Sequence, residues 1–548
     1  MPVVTLYHNR LHSLLGRRKS IREILEMLPY IGLDIEEQGK DYVKIEYNPN
    51  RPDFSTDYGI ARALKGIFNI EVGLPKFQSG KSNVSVKVDR SVSSVRPYIV
   101  SLVAVNGRMD DEGIRQIITM QEDIHEGIGR KRKKVSIGIH NYDVIKPPLL
   151  YTTERPDFRF VPLNSSRSVS MQDILENTDV GKEYGWILEG HKKYPVIKDA
   201  VGNVLSFPPI INSEHTRVAE KTKNLLIDVT ATDLKAAEDA LAIIAITLYD
   251  AKFKIESVKI NYGNRKLETP NMNAVARSIR QEYTNHLLGL NMSSGEITRY
   301  LQRSRLGASS KGGRIECRIP PYRLDIMHEV DLVEDVAVGY GINRISATFP
   351  SSTSVGAKDS THKILDAARE VLVGLGMIEV MNFNLVSKEV QYEMMNRVGV
   401  NVLAVEQTKS IEHEVLRDAL IPSLMLTLSR NIHEPYPQRI FEIGKTFFAG
   451  TSNIQEYWTV AVALAHKDTN YTEAKSYLQA LLKTLFNIEP ETRTASNVML
   501  VDGKSAEIIA KNKNVGIVGE VSQHSIDNFK LRVPISVLEV NISKILES

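Results

Sequence analysis

Behind Ser20 the chain reads Ile-Arg-Glu-Ile-Leu-Glu-Met-Leu, with apolar residues at 21, 24, 25 and 28. A hydroxyl ahead of that spacing predicts an N-capped amphipathic helix. Lys44-Ile-Glu-Tyr reads as a strand that runs into Asn48-Pro-Asn-Arg-Pro-Asp53, whose two prolines exclude helix and whose Arg51 and Asp53 can pair to lock the turn. Ser55 or Thr56 then caps a helix through Gly59 to Gly66. Val84 to Val88, Tyr98 to Val105 and Val135 to Ile139 are rich in β-branched residues or alternate, which predicts strands. Helices are expected from about Asp110 to Gly127 and from Asp233 to Ala251. Between them, Leu205-Ser-Phe-Pro-Pro-Ile-Ile-Asn-Ser213 lies in an expected loop from Asn203 to Arg217. Further on, the pattern predicts helices around Ala274 to Leu288 and Ser294 to Arg303. A Gly-rich turn at Lys311 and a strand from Arg314 to Ile319 follow, then an acidic helix at 329 to 338. Ser351 to Ser360 reads as a linker. A helix from Thr361 to Leu375 and strands starting at Gln438, Tyr457 and Val515 complete the chain.

These elements divide into four stretches: 1–85, α+β; 86–265, α+β; 268–347, small and winged-helix-like; and 360–548, α+β. The 548 residues suit that number of domains. Lys and Arg number 69 against 66 for Asp and Glu, so a polycationic nucleic-acid coat is excluded while local basic patches are not. The single cysteine, Cys317, excludes an internal disulfide framework and a multi-cysteine zinc site, and fits a reducing compartment. The first twenty residues lack the apolar core of a signal peptide. The apolar stretch near Ala240 to Tyr249 is well short of the roughly 18 to 20 residues of a membrane span. A cytoplasmic chain is expected.

Several constellations carry candidate chemistry. Asp331, Glu334 and Asp335 fall on one side of the acidic helix, opposite Val330, Val333 and Ala337, and Asp325 can fold back onto them. They read either as a site for Mg²⁺ or partner arginines, or as acids favoured by the helix dipole. Around the proline pair, Asn212, Ser213, Thr216 and Arg217 offer hydrogen-bonding groups, and period two puts Asp228 and Thr230 on one strand face. The set can line a pocket for a polar small molecule and orient a water, or simply stiffen a loop. No Ser-His-Asp or Cys-His arrangement is visible beside it. Arg130, Lys131, Arg132, Lys133 and Lys134 form a basic run suited to phosphate contact or to a solvated loop flank. Arg439-Ile-Phe-Glu442 has a spacing that would suit a nucleotide-clasping strand. No second phosphate-binding arginine and no P-loop follow, which points to a catalytically silent domain.

Taken together, certain words make a resemblance. They are Asn48-Pro-Asn-Arg-Pro-Asp53 with Gly59-Ile-Ala-Arg62; Pro208-Pro-Ile-Ile-Asn-Ser213; Asp228-Val-Thr-Ala-Thr-Asp233; Asp331-Leu-Val-Glu-Asp335 with Gly339-Tyr-Gly-Ile-Asn343; Leu416-Arg-Asp-Ala-Leu-Ile-Pro-Ser423; Phe441-Glu-Ile-Gly444; and Gly519-Glu520. In this order the chain resembles the β subunit of phenylalanyl-tRNA synthetase of the archaeal and eukaryotic-cytosolic type, essentially end to end. One departure is Ile342, where the family usually shows an aromatic. The resemblance implies an α2β2 heterotetramer whose α subunit joins phenylalanine to tRNA(Phe) with ATP. It implies that 86–265 is an editing module hydrolysing tyrosine mischarged on that tRNA, with Asn212, Ser213, Thr216, Arg217, Asp228 and Thr230 lining its pocket. It further implies Mg²⁺ at Asp325, Asp331, Glu334 and Asp335, and a non-catalytic class II synthetase-like antiparallel sheet domain at 360–548. The long bacterial form's anticodon-binding extension has no counterpart, so anticodon reading through it is not expected. Two other readings use the same modules: a tRNA-binding or assembly protein without editing, and a stand-alone hydrolase acting in trans.

Overall fold

Alternation along a single strand sets the geometry of the first half of the molecule. In Leu225–Ala231, residues 225, 227, 229 and 231 join the core beneath the helices Asp111–Glu126 and Leu234–Asp250. Leu226 packs on the other face, where Asp228 and Thr230 follow it by period two. Both helices start where expected, with Asp110 and Asp233 accepting backbone N–H groups as N-caps. The strand lies between Tyr98–Val105 and Val135–Asn141, antiparallel to each.

The computed structural model describes residues 2–547 apart from 17, 18, 108, 109, 220, 264, 312, 351–353, 407, 409 and 452. Residue 312 of the expected Gly-rich turn and 351–353 of the expected linker therefore lie outside the described residues. The chain forms two compact units, 1–349 and 350–548. Among the described residues no helix is long and apolar enough to cross a membrane.

The first unit holds three main sheets. Val3–Tyr7, Tyr42–Tyr47 and Leu33–Gln38 form a small antiparallel sheet packed by His8–Leu15, Ile21–Met27 and Asp57–Ile67. Ser20 and Glu23 close a capping box, Thr56 caps Asp57–Ile67, and Arg51 grips Asp53 through two hydrogen bonds of 2.9 Å. The second sheet runs in the order Ile211–Asn212, Val204–Phe207, Tyr194–Lys198, Leu149–Glu154, Ser79–Val88, Lys254–Asn261, Tyr98–Val105, Leu225–Ala231, Val135–Asn141. Ser79–Val88 pairs in parallel with Lys254–Asn261, and Lys266–Thr269 adds to the latter, so this sheet extends past the 86–265 limits on both sides. The expected loop at 203–217 is largely ordered: Val204–Phe207 and Ile211–Asn212 form a hairpin around the proline pair.

The third sheet, Val275–Arg280, Arg314–Ile319 and Gly307–Lys311, corrects the helix expected from Ala274 to Leu288. Only Gln281–Leu288 is helical. Val275 to Arg280 pairs residue by residue with Ile319 to Arg314, a tertiary partnership that overrides local helix propensity. The acidic helix, Glu329–Tyr340, buries Leu332, Val333, Val336 and Ala337; Val330, expected on that face, is exposed.

In the second unit, seven strands run in the order Ile378–Glu379, Gln438–Ala449, Ile454–Ala465, Ile535–Asn541, Lys513–Val521, Leu500–Ala510, Glu491–Thr494, all antiparallel except the first pair. Val460, Val462 and Leu464 face the helices Ser360–Gly374 and Tyr471–Phe486, while Ala461, Ala463 and Ala465 face Ile421–Arg430. Arg417 and Glu442 make a fully buried ion pair of 2.5 Å. Gly444 leaves room for it, since a Cβ there would sit 2.3 Å from the guanidinium.

Candidate active site

In the large sheet of the first unit the two edge strands approach each other. Asn212 donates to the carbonyl of Ile139 at 3.4 Å, and Arg132 donates to the carbonyl of Ile210 at 3.1 Å. Between these edges and the helix Asp111–Glu126 lies a cavity of about 450 Å³. Ile117, Ile118, Ile139 and Ile210 give it apolar walls, and polar groups converge at a few points. That combination and volume suit a small-molecule group.

Asn212, Ser213, Thr216, Arg217 and Asp228 all line this cavity. Arg217 is exposed at its rim and pairs with Glu214 at 3.2 Å. Ser213 caps the short turn Glu214–Thr216 and donates to the carbonyl of Val161. Thr230 is a correction. It shares the strand face of Asp228 but is fully buried under Arg96, whose Nε donates to Thr230 Oγ1 at 2.9 Å, and it does not line the cavity.

A histidine that the sequence reading does not single out joins two of these residues. Asp228, 2% exposed, accepts from His140 Nε2 at 2.6 Å, and His140 Nδ1 lies 2.8 Å from Thr216 Oγ1. The imidazole thus bridges the carboxylate and the Thr216 hydroxyl, which also lies 3.4 Å from the carbonyls of Leu205 and Ser213. The result is a buried Asp-His-Thr chain whose two outer members face the cavity. His140 is itself completely buried. The signal in the sequence was the alternation of Val135–Asn141, which puts His140 on the same face as Gly138. Gly138 makes the arrangement possible: a Cβ there would lie 2.2 Å from Asp228 Oδ2 and 2.6 Å from His140 Nε2.

The opposite wall carries a second polar set. His125 Nε2 accepts from the N–H of Ile137 at 2.8 Å, and burial pushes the His125 pKa down, which leaves Nδ1–H facing Glu122 at 3.4 Å. Burial alone would raise the Glu122 carboxyl, but His125 and the Arg132 guanidinium, 3.1 Å away, hold it down at about 2. Arg132 thus belongs to the cavity wall. Lys134 pairs with Asp233 at 3.1 Å, and Arg130, Lys131 and Lys133 remain exposed.

The four acidic residues line a separate cleft of about 250 Å³ in the same unit, together with Arg51 and Arg323. Arg323, itself buried, bridges Asp325 at 2.6 Å and Asp335 at 2.7 Å. Asp331 accepts the backbone N–H groups of Met327 and His328. Burial and then the neighbouring Asp335, Asp325 and Asp331 push the Glu334 carboxyl up. Among the described residues no three His, Cys, Asp or Glu side chains are arranged to hold a metal ion. An arginine occupies the place of a central cation, so this is not a carboxylate cage. The arginine pairs fall on Asp325 and Asp335, while Asp331 is held by backbone N–H groups and Glu334 lies on the exposed side.

Comparison with known proteins decides the family. The phenylalanine-tRNA ligase beta subunit of Archaeoglobus fulgidus is 39% identical over 100% of this chain and 99% of its own length. The chain belongs to the phenylalanine-tRNA ligase beta subunit family. The relative from Pyrococcus horikoshii is 37% identical over 98% of this chain and 99% of its own length. Residues 277–342 match the tRNA synthetase B5 domain, and residues 345–542 match the phenylalanyl tRNA synthetase beta chain CLM domain. A crystal structure of an N-terminal fragment of the Pyrococcus horikoshii β subunit superposes with a TM-score of 0.60 at 37% identity. It covers 62% of this chain and 99% of the fragment. Family members are thus subunits of an aminoacyl-tRNA synthetase, and both the cavity and the acidic cleft lie in the first unit.

Because Gly138 abuts the Asp228–His140 bond, Gly138→Ala should break that bond and lower stability by about 1–3 kcal/mol. A denaturant titration that superposes on the wild-type curve would contradict the tightness of this contact.

Proposed function

We propose that this chain is the β subunit of a phenylalanine-tRNA ligase with two roles. With an α subunit, as an α2β2 heterotetramer in the cytoplasm, it supports ATP-dependent attachment of phenylalanine to tRNA(Phe). Through its own cavity it hydrolyses tyrosine mischarged on that tRNA. The observation that carries the reading is a cavity with polar convergence in a chain alike end to end with named β subunits.

Proofreading answers a physical need. A synthetic pocket rejects poorly an analogue that only adds a hydroxyl, and a second pocket with hydrogen-bonding groups can select that hydroxyl. Here the apolar walls accommodate a ring, while Asn212, Ser213, Thr216 and Asp228 supply polar contacts. His140 holds the Thr216 hydroxyl in place at 2.8 Å. Hydrolysis needs no thiol, since Cys317 is buried in the core of another sheet. It rests on holding the ester and a water in place.

The second unit is the proposed non-catalytic partner-binding domain. Glu442, part of the expected nucleotide-clasping strand, is taken up by Arg417 and by two hydrogen bonds from Asn382. Beside its short edge strand, Ile378, Met381, Phe383 and Ile411 are largely exposed, with Met381 at 92%. Such an apolar patch at a sheet edge suits burial against the α subunit. ATP would then be a substrate at the α site.

Mg²⁺ is proposed at the acidic cleft with a narrow donor set. Arg323 is shared by Asp325 and Asp335, and Arg51 is bound more closely to Asp53 than to Asp325, so the four carboxylates keep an excess of negative charge that suits a divalent cation. Glu334 and Asp331 would hold it on the exposed side, where the ion supplies charge neutralisation at a subunit contact. Glu334→Gln should weaken Mg²⁺ binding at least ten-fold in a calorimetric titration of the α/β complex. Unchanged affinity would leave the cleft as an arginine-bridged lock without a metal.

Co-expression with the cognate α chain should give phenylalanylation that neither chain gives alone. In that complex, Ala at Asn212, Arg217 or Asp228 should let tyrosyl-tRNA(Phe) accumulate while phenylalanylation stays near wild type. Undiminished tyrosyl-tRNA hydrolysis in all three variants would remove the cavity from the proofreading role.

A further inference from the structure

The basic run at 130–134 is built on an unusual backbone. Arg130, Lys131 and Arg132 have φ of 49°, 54° and 63°, three consecutive left-handed residues without a glycine among them. Such a conformation costs energy and persists only where surroundings impose it. Arg96 imposes it. Its guanidinium is 1% exposed and donates to the carbonyls of Arg132 at 3.1 Å, Lys133 at 3.0 Å and Thr230 at 2.8 Å. The backbone is pinned from inside while Arg130, Lys131 and Lys133 project into solvent.

Beside this turn stands one of the chain's two tryptophans. Trp186 is 47% exposed, unusual for so large an aromatic ring, yet it is not free to swing. Its Nε1 donates to the carbonyl of Glu183 at 3.0 Å, and the Lys133 ammonium lies 5.8 Å from its ring centre. Two residues earlier, Tyr184 is covered by Arg132 at 4.3 Å. Arg132 lines the cavity, as does Val180 on the helix leading to Trp186. A fixed exposed ring and a fixed cationic turn are therefore continuous with the cavity.

We propose that Trp186, with Lys133, Lys131 and Arg130, is a stacking platform for the unpaired 3′ end of an RNA whose terminal ester enters the cavity. Nucleic-acid sites of this kind combine a base-stacking aromatic with cations that follow the phosphates. The ring stays parked against Lys133 until a base replaces that contact. The platform rests on the proofreading reading for its purpose, and its own chemistry is that of single-stranded RNA.

The test uses the full-length chain carrying Trp458→Phe, which leaves Trp186 as the sole tryptophan. Titration with a single-stranded oligonucleotide of the tRNA 3′ end should quench Trp186 emission saturably, more weakly as salt rises. The same oligonucleotide annealed to its complement should not. Trp186→Ala should reduce affinity for the single strand by roughly ten-fold and Trp186→Phe should restore most of it. In the α/β complex, Trp186→Ala should raise KM for tyrosyl-tRNA(Phe) hydrolysis with kcat retained. Unchanged Trp186 emission while anisotropy reports binding, absence of binding, or wild-type affinity in Trp186→Ala would each overturn the platform. If the wild-type complex fails to hydrolyse tyrosyl-tRNA at all, the proofreading reading falls and the fluorescence titration still decides the platform.

Discussion

A carboxylate buried in the middle of a sheet must be partnered, and the Asp228–His140 bond meets that requirement here. Much of the cavity follows from it. Val135–Asn141 must bring a small residue to 138 so that the two side chains can meet, and glycine is what stands there. His140 must turn its second nitrogen somewhere, and Thr216 receives it, which ties the hairpin at 204–212 and its following turn to the opposite edge of the sheet. Leaving one member of such a buried bond without its partner typically costs about 1–3 kcal/mol. The same contact therefore shapes the pocket and holds together its two sides.

Arg96 works in a comparable way one layer further out. It covers Thr230 and holds the left-handed turn that presents the basic run. In the acidic cleft Arg323 does the corresponding work between Asp325 and Asp335. In each place a buried arginine organises groups of opposite polarity, and the side chains left over at the surface are the ones free to meet a ligand or partner.

How much of this was legible in the sequence depended on the range of the interaction. The capped helices at 111–126 and 234–250 were readable because cap and apolar spacing lie within one segment. The Arg51–Asp53 lock was readable for the same reason. Asn212, Ser213, Thr216, Arg217 and Asp228, which a proline-stiffened word and a strand alternation single out, line one cavity. His140 was missed because its partner lies 88 residues away, and no local pattern separates it from a histidine in any other strand. Thr230 was overcounted because a shared strand face does not reveal that Arg96 covers it. The strand at 275–280 was hidden because its partner, Arg314–Ile319, comes after two helices. Arg323 stands two residues before Asp325, yet its reach to Asp335 appears only once the acidic helix has packed.

The most direct measurement is single-turnover hydrolysis of tyrosyl-tRNA(Phe) by the α/β complex carrying His140→Asn, with phenylalanylation as the internal control. An organising role for the Asp228–His140–Thr216 chain predicts at least a ten-fold slower hydrolysis with phenylalanylation unchanged. Equal hydrolysis rates in variant and wild type would contradict it.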